Sequence, residues 1–139
     1  MACPPPRHPS RRQVLVWAGA GAATLALASC AGEEEAPPLP RPGERLLPVS
    51  EVPVGQSAAV TTSEGAELVV TRPAEDEVVV LSAVCTHQGC TVRRERENLV
   101  CPCHGSTFAA VDGAVLQGPA EEPLTRVPAR IESGDVVVG

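Results

Sequence analysis

The amino-acid sequence predicts an all-β domain over residues 46–139. Short apolar runs alternate there with turn residues, and Gly and Pro recur between the runs. β-Branched residues dominate the runs, and no stretch keeps an apolar period of 3.6 residues long enough for a helix. Strands joined by tight turns are therefore the expected elements of this region.

An export signal is predicted for residues 1–30. Arg11 and Arg12 precede an uncharged run of about 15 residues, which is too short to span a bilayer comfortably and is flanked like a signal peptide. The arginine pair resembles a bacterial twin-arginine signal, with an ordinary secretory signal as the alternative. Residues 27–30 resemble a lipobox, in which Cys30 is acylated after cleavage; an unpaired or buried cysteine is the other interpretation. We expect an exported protein anchored by lipid to the outer face of the bacterial cytoplasmic membrane.

Residues 31–45 are predicted to form a Pro/Glu-rich tether. Three consecutive glutamates and four prolines fall in this segment, which has too little apolar surface to fold alone. Proline-rich chain takes the extended polyproline II form, at about 3.1 Å per residue. The segment is interpreted as a spacer, with a moving arm as the alternative.

The strands of the domain are predicted at the apolar runs that follow the tether. A mixed-charge segment, residues 93–98, is interpreted as a solvated hairpin turn, with a docking patch as the alternative. The predicted strands cover residues 58–61, 68–71, 78–84, 91–92, 99–100, 115–116 and 136–138.

Composition restricts which residues can form the core and argues against one class of partner. Phe108 is the only Phe, Trp17 is the only Trp and Tyr is absent, so the core must be built from Val, Leu and Ala. A core without large aromatic side chains is thin, and a small domain of this kind is expected to need a metal or a disulfide. Six cysteines are available for both. The 17 acidic residues outnumber the 11 basic ones, and the net charge of −6 argues against nucleic acid as a partner.

The residues that carry chemistry lie in two loops, each after a predicted strand. Residues 85–90 read Cys-Thr-His-Gln-Gly-Cys, and residues 101–106 read Cys-Pro-Cys-His-Gly-Ser. A tetrahedral zinc site takes two Cys and two His ligands, so zinc remains open on spacing alone. One division of these side chains makes ligands of Cys85, His87, Cys101 and His104 and leaves Cys90 and Cys103 to pair with each other.

Both loops resemble the cluster-binding signature of Rieske proteins, in which a [2Fe–2S] cluster has two Cys on one iron and two His on the other. The extra cysteine in each loop is typical of the high-potential, disulfide-containing type found in cytochrome bc1 and b6f complexes. The resemblance implies a small antiparallel β-sandwich with the cluster-binding loops at one tip. It also implies that Cys85 and Cys101 hold one iron, that His87 and His104 hold the other, and that Cys90 and Cys103 form a disulfide.

The resemblance extends to residues around the cluster. Gly118 and Pro119 belong to a segment that resembles the family's third loop over the cluster, and Ser106 keeps the family position near a bridging sulfide. Phe108 replaces a Tyr whose hydroxyl points to a ligand sulfur; filling the core beneath the loop is its other role. Gln88 replaces an apolar residue that docks onto the quinol site. Because Ser106 is kept while the Tyr hydroxyl is replaced by Phe108, we expect a mid-range reduction potential.

These observations predict an exported, membrane-tethered electron carrier with one Rieske [2Fe–2S] cluster and no catalytic residues of its own. Its expected partner is a redox protein or a quinol-oxidising complex. The alternative is the Rieske subunit of a quinol–cytochrome c oxidoreductase, and a third interpretation is a redox-inert zinc-binding lipoprotein. Co-purification with a cytochrome b would favour the second interpretation, and a colourless protein would favour the third.

Overall fold

The computed structural model describes residues 38–139; the export signal, Cys30 and residues 31–37 of the predicted tether lie outside the described residues. The only helical element in residues 38–139 is a 3-10 turn at Val49–Glu51, and no helix in that range is long and apolar enough to cross a bilayer. The remaining elements are eleven strands: β1 (Arg45–Pro48), β2 (Gln56–Thr61), β3 (Glu67–Ala74), β4 (Glu77–Ser82), β5 (Arg93–Glu95), β6 (Asn98–Val100), β7 (Thr107–Ala109), β8 (Val115–Gln117), β9 (Arg126–Val127), β10 (Ala129–Glu132) and β11 (Asp135–Val138).

The strands form three sheets in which every pair is antiparallel. Their orders are β1-β11-β10, β2-β3-β4-β9 and β5-β6-β7-β8. The predicted all-β, antiparallel fold class is therefore confirmed. The first strand pairs with the last, so the two ends of the described chain meet in one sheet.

The β2-β3-β4-β9 sheet contacts a core on each face because β3 and β4 carry apolar residues without alternation. In β3, Val69 faces one core while Leu68 and Val70 face the other, and in β4 Leu81 and Val80 divide in the same way. One core, here called the cysteine-containing core, includes Cys85, Cys101 and Phe108; the other, the terminal core, includes Val136 and Val138 of β11. The continuous apolar runs of the sequence thus support two cores rather than one.

Five strands were not predicted from the sequence because they lack a long apolar run. These are β1, β5, β7, β9 and β10, of two to four residues each. Residues 91–92, predicted as a strand, make only an isolated bridge between Thr91 and Val84. The folded unit begins at β1, and the N–H of Gly43 already donates to the carbonyl of Val138 at 2.9 Å. The last residues assigned to the tether are thus part of the fold.

The mixed-charge segment is a hairpin in which four of the six residues belong to strands and residues 96–97 form the turn. β5 and β6 pair from Arg93 with Val100 to Glu95 with Asn98, and Arg96 takes a left-handed φ of 58° in the turn. Arg94 is partly buried, because its guanidinium donates to Ser57 Oγ at 2.8 Å and to the carbonyl of Gly55 at 3.0 Å. The predicted solvated hairpin turn is thus confirmed, with four of the six residues exposed, while Arg94 of β5 joins the loop-bearing sheet to β2.

Candidate metal centre

The two cysteine- and histidine-bearing loops have the same backbone conformation. In residues 85–90 and in residues 101–106, the N–H of the first residue donates to the carbonyl of the sixth at 2.8 Å. The N–H of the fifth residue donates to the carbonyl of the first, at 2.9 and 3.0 Å. That fifth residue is a glycine in both loops, Gly89 and Gly105, with φ of 74° and 76°. Glycine is needed at this position because residues with a Cβ rarely adopt the left-handed conformation.

The loops also begin and end on equivalent paired residues. Val84 bridges Thr91 across the first loop, and Val100 pairs with Thr107 across the second. Each loop therefore closes an antiparallel pair in the same register, 16 residues apart along the chain. The side chains differ, because the histidine is third in the first loop and fourth in the second.

The first cysteine of each loop is a buried free thiol. Cys85 is 2% exposed and Cys101 is 1% exposed, and both lie in the cysteine-containing core. Burial raises the pKa of the Cys85 thiol, the adjacent Cys101 thiol raises it further, and the backbone N–H groups of His87 and Gln88 oppose the rise by donating to the sulfur. Two buried free thiols in one core suit a metal that binds thiolates.

The side chains of the two histidines lie next to each other. The ring centroids of His87 and His104 are 4.8 Å apart, and the rings are nearly perpendicular, at 86°. His104 is exposed and His87 is partly buried. The Nδ1 atom of His87 is buried and has no hydrogen-bond partner in residues 38–139. A buried polar atom without a partner is costly, and a metal ligand is one role that removes this cost.

A disulfide between Cys90 and Cys103 joins the two loops, as the resemblance implied. Its two Cα atoms are 6.5 Å apart, within the usual range for a disulfide. The sulfur of Cys101 lies within 4.8 Å of both disulfide sulfurs. Although these three sulfurs form the tightest group of potential ligand atoms, two of them are bonded to each other, so Cys101 alone of the three offers a thiolate to a metal.

The segment after β8 is held against the second loop. The N–H of Ala120 donates to Ser106 Oγ at 3.1 Å, and Ser106 is fully buried. Because the Ser106 oxygen accepts this bond, its hydroxyl hydrogen remains free to donate to another acceptor. Gly118 lies so close to Ser106 that only a residue without a Cβ fits there.

The same segment is held against the first loop. Thr86 Oγ1 donates to the carbonyl of Glu122 at 2.7 Å. A shallow concavity is lined by Thr86, His87, Pro119, Glu121 and Glu122, so that two carboxylate side chains share a surface with the His87 ring. The third loop therefore contacts both cysteine-bearing loops through hydrogen bonds.

Phe108 lies under the loops as the largest fully buried side chain. It sits in β7 opposite Leu99 of β6, and both belong to the cysteine-containing core with Cys85 and Cys101. The packing role that was expected of this ring is thus present in the structure.

Two contacts were missed by the sequence analysis. Thr86 was given no role, and Ala120 was placed in the third loop without a partner, yet they fix the third loop to the first and second loops respectively. The partners of both are 14 or more residues away, and one group of each pair is a backbone atom. The only available signal was the position of Thr86 inside the first Cys/His loop.

Comparisons with known proteins agree with this geometry. Residues 44–128 match the family described as the Rieske [2Fe-2S] domain. The cytochrome b6-f complex iron-sulfur subunit of Chlorobaculum tepidum is 32% identical over 108 residues, which cover 70% of this chain and 58% of that protein. A putative respiratory nitrate reductase subunit Rieske of Haloferax mediterranei is 36% identical over 98 residues, covering 69% of this chain and 42% of that protein. The chain spans about half the length of the curated relatives it matches.

Solved structures agree as well. The plasma membrane Rieske protein of the cyanobacterium Synechocystis PCC 6803 has a TM-score of 0.60 and 25% identity, and the match covers 69% of this chain and 98% of that one. A chain of a hyperthermophilic respiratory Complex III has a TM-score of 0.56 and 28% identity, covering 67% of this chain and 72% of that one. The matched region contains both Cys/His loops and the third loop. The chain therefore belongs to the Rieske [2Fe–2S] domain family and is an iron-sulfur electron-transfer protein that binds one [2Fe–2S] cluster.

Proposed function

We propose that the chain is an exported electron carrier, tethered to the outer face of the bacterial cytoplasmic membrane, whose cluster is held by Cys85, His87, Cys101 and His104. The ligand assignment rests on the presence of two thiols and two imidazole rings in one site. Two buried free thiols lie in the same core, and two imidazole rings lie 4.8 Å apart, with one buried ring nitrogen that has no hydrogen-bond partner among residues 38–139. The family assignment replaces zinc with a [2Fe–2S] cluster as the metal of this site.

When bound, a Rieske cluster takes up and releases one electron at a potential of about −150 to +300 mV. The proposed ligands favour a potential above that of four-thiolate clusters because only two of the four are anionic. The backbone N–H groups of His87 and Gln88 donate to the sulfur of Cys85 and stabilise negative charge there. The free hydroxyl hydrogen of Ser106 is a further donor.

Electron exchange with a partner requires a ligand near the surface. His104 and Gln88 are exposed, and His87 is partly buried beside them. Exposed imidazole edges allow a redox protein to approach the site directly, without a channel through the domain. Gln88 is polar, and a polar residue at this exposed position does not favour docking into an apolar quinol pocket. These features support a carrier that serves a redox protein.

Membrane attachment follows from the N-terminal sequence. Arg11 and Arg12, the uncharged run and Cys30 give the order of parts that a lipidated export signal requires. Several acyl chains on one cysteine, at about 0.8 kcal/mol per buried methylene, make a lasting anchor. β1 begins at Arg45, so only a short linker separates the lipidated cysteine from the fold.

The second candidate is a subunit of a quinol–cytochrome c oxidoreductase. It is favoured by the names of the relatives, several of which are cytochrome b6-f iron-sulfur subunits, and by the Complex III structure. Purification of the full chain from native membranes separates the two candidates. A carrier elutes without other redox subunits, whereas a subunit elutes with a cytochrome b.

The cluster and its ligands are tested by a redox titration of the purified full chain followed by EPR. We expect a single one-electron transition within the Rieske range of about −150 to +300 mV and two irons with two sulfides per chain. A transition near −400 mV, typical of four-thiolate clusters, would contradict the proposed pair of histidines. Single replacements of His87 and His104 then show whether each ring is required.

A further inference from the structure

The sulfur atoms of Cys90, Cys101 and Cys103 all lie within 4.8 Å of one another, and one of the three is a free thiol. A free thiol beside a disulfide is the arrangement that thiol–disulfide exchange requires, because the attacking sulfur displaces one member of the existing bond. In the protein that holds its cluster, here called the loaded protein, this thiol is a proposed ligand of the metal. Loss of the cluster frees it next to the disulfide.

We propose that Cys101 exchanges with the Cys90–Cys103 disulfide when the cluster is absent, and that this isomerisation inactivates the cluster-free protein. The Cys101 thiol gives up a proton, and its sulfur bonds to the Cys90 sulfur. The bond between Cys90 and Cys103 breaks, and the Cys103 sulfur takes up a proton. One disulfide and one thiol are present before and after, so neither an oxidant nor a reductant is consumed.

Burial determines which cysteine is released. Cys103 is exposed, whereas Cys90 is partly buried against the cysteine-containing core. A leaving sulfur carries negative charge before it is protonated, and this charge is better solvated at the exposed position. Attack at Cys90 with release of Cys103 is therefore the favoured direction. The opposite attack would close a small ring across Pro102 alone and would release a less solvated sulfur.

The strand register brings the new partners together. Arg93 of β5 pairs with Val100 of β6, so the chain just before β5 and the chain just after β6 lie at the same end of the hairpin. Cys101 follows Val100 directly, and Cys90 is three residues before Arg93. A Cys90–Cys101 disulfide would therefore join neighbouring segments at one end of the hairpin.

The consequence is an order of assembly. The isomer keeps a disulfide but has lost Cys101 as a free thiolate, so it lacks one of the proposed ligands. A cluster bound before the Cys90–Cys103 disulfide forms prevents this outcome, because Cys101 is then coordinated. The exchange itself does not depend on the proposed ligand set; only its effect on cluster binding rests on that proposal.

Disulfide mapping tests the exchange. The full chain is purified with its cluster, the cluster is removed with a chelator under anaerobic conditions without added thiol, and samples are acid-quenched at intervals. Free cysteines are alkylated with N-ethylmaleimide in denaturant at acidic pH, where exchange is arrested. Trypsin cuts after Arg96 and Arg126, so Cys101 and Cys103 fall in one peptide, residues 97–126, and fragmentation of that peptide assigns the label. We expect label to be lost from Cys101 and gained by Cys103, with the total unchanged.

Two variants form a matched pair. Cys85→Ser and Cys101→Ser each remove one proposed ligand, but only Cys85→Ser keeps the attacking thiol. Cys103 should become labelled in cluster-free wild type and in Cys85→Ser, and should stay unlabelled in Cys101→Ser and in the loaded wild type. Label that stays on Cys101 in the cluster-free wild type overturns the proposal, as does labelling of Cys103 in Cys101→Ser.

A second measurement separates this proposal from the proposed ligand set. After the label has moved, iron and sulfide are added back to unlabelled samples, with or without prior reduction by dithiothreitol. We expect cluster recovery to be lost after exchange and restored by reduction. Migration of the label with undiminished recovery would leave the exchange intact and would instead refute Cys101 as a ligand.

Discussion

Gly118 packs directly on the backbone of Ser106: a Cβ at Gly118 would lie 2.5 Å from the Cα of Ser106. The φ of Gly118, 102°, is also one that residues with a side chain rarely adopt. Two independent constraints thus require glycine where the third loop crosses the second. The contact keeps the third loop close enough to the second loop for the N–H of Ala120 to donate to Ser106 Oγ.

Gly118→Ala should destabilise the protein by about 1–3 kcal/mol, because a close contact with backbone cannot be relieved by a side-chain rotation. The control is Gly65→Ala, where φ is also positive, 87°, but nothing lies within 4 Å of the added Cβ. Gly65→Ala therefore measures the conformational cost alone. Denaturant unfolding followed by circular dichroism gives both values. Equal losses in the two variants would show that the contact with Ser106 has no energetic role.

Phe108→Tyr should raise the reduction potential. The ring is fully buried in the same core as Cys85, and a hydroxyl that donates to the Cys85 sulfur would stabilise the reduced state more than the oxidised one. One such bond, at about 1 kcal/mol, corresponds to roughly 40 mV for a one-electron couple. Ser106→Ala should lower the potential by a similar amount, since it removes a donor. A folded Phe108→Tyr protein with an unchanged or lower potential would show that the ring does not point at this sulfur.

Replacement of a ligand and replacement of the disulfide should have different effects. Cys101→Ala should abolish the cluster and much of the stability, because metal binding and folding are coupled. The double variant Cys90→Ser with Cys103→Ser should keep a cluster at reduced stability, since a disulfide that closes so short a loop contributes about 3 kcal/mol. Visible absorption and iron content report the cluster, and thermal unfolding reports stability. Equal loss of iron in both variants would contradict the division of the four cysteines.

Stability should fall in acid partly through Glu44. Its carboxylate accepts hydrogen bonds from the backbone N–H groups of Ser63, at 3.1 Å, and Arg41, at 3.2 Å, and these bonds hold its pKa below the ordinary value of 4.5. The folded-state pKa is the lower one, so the contribution is present above pH 4.5 and is lost as the pH falls through the folded pKa. Glu44→Gln should flatten the pH dependence of the unfolding free energy in this acid range.

The matched control for Glu44 is Glu51→Gln. Glu51 is an exposed glutamate whose carboxylate accepts no hydrogen bond within residues 38–139. Its replacement should leave the acid dependence as in wild type. A pH profile that is identical for wild type and Glu44→Gln would show that the hydrogen bonds to Glu44 do not persist in solution.

Cys30→Ala should prevent attachment of the protein to the membrane through acyl chains. Wild-type protein is expected in the membrane fraction after a high-salt wash, because acyl chains are not displaced by salt. The variant should accumulate as uncleaved, unacylated precursor, measured by mass spectrometry of the purified chain. Cys3→Ala is the control, since Cys3 lies in the segment that the signal peptidase would remove. Wild-type protein found wholly in the culture fluid would refute the lipobox.

The parts of the fold that were predicted from sequence are those in which side-chain chemistry repeats at short range. Apolar runs located the two longest strands, and the paired Cys/His loops located the site. The equivalence of the loops was not visible, because it lies in backbone hydrogen bonds and in Gly89 and Gly105, while the histidines occupy different positions. Strand order was not visible either, since β9 has only two residues and finds its place by pairing with β4.

The pairing of the first strand with the last has a mechanical consequence for a chain attached through its N-terminus. Traction on that end is borne first by the reciprocal hydrogen bonds of residues 43–44 with Val138, and then by the pairing of Arg45 with Val137. Because the pulled end of β1 lies against the C-terminal end of β11, these bonds are loaded one after another rather than together. Val138 also fills the terminal core, so peeling β1 away uncovers an apolar residue. β11 would thus resist a load applied to β1, although more than 85 residues separate the two strands along the sequence.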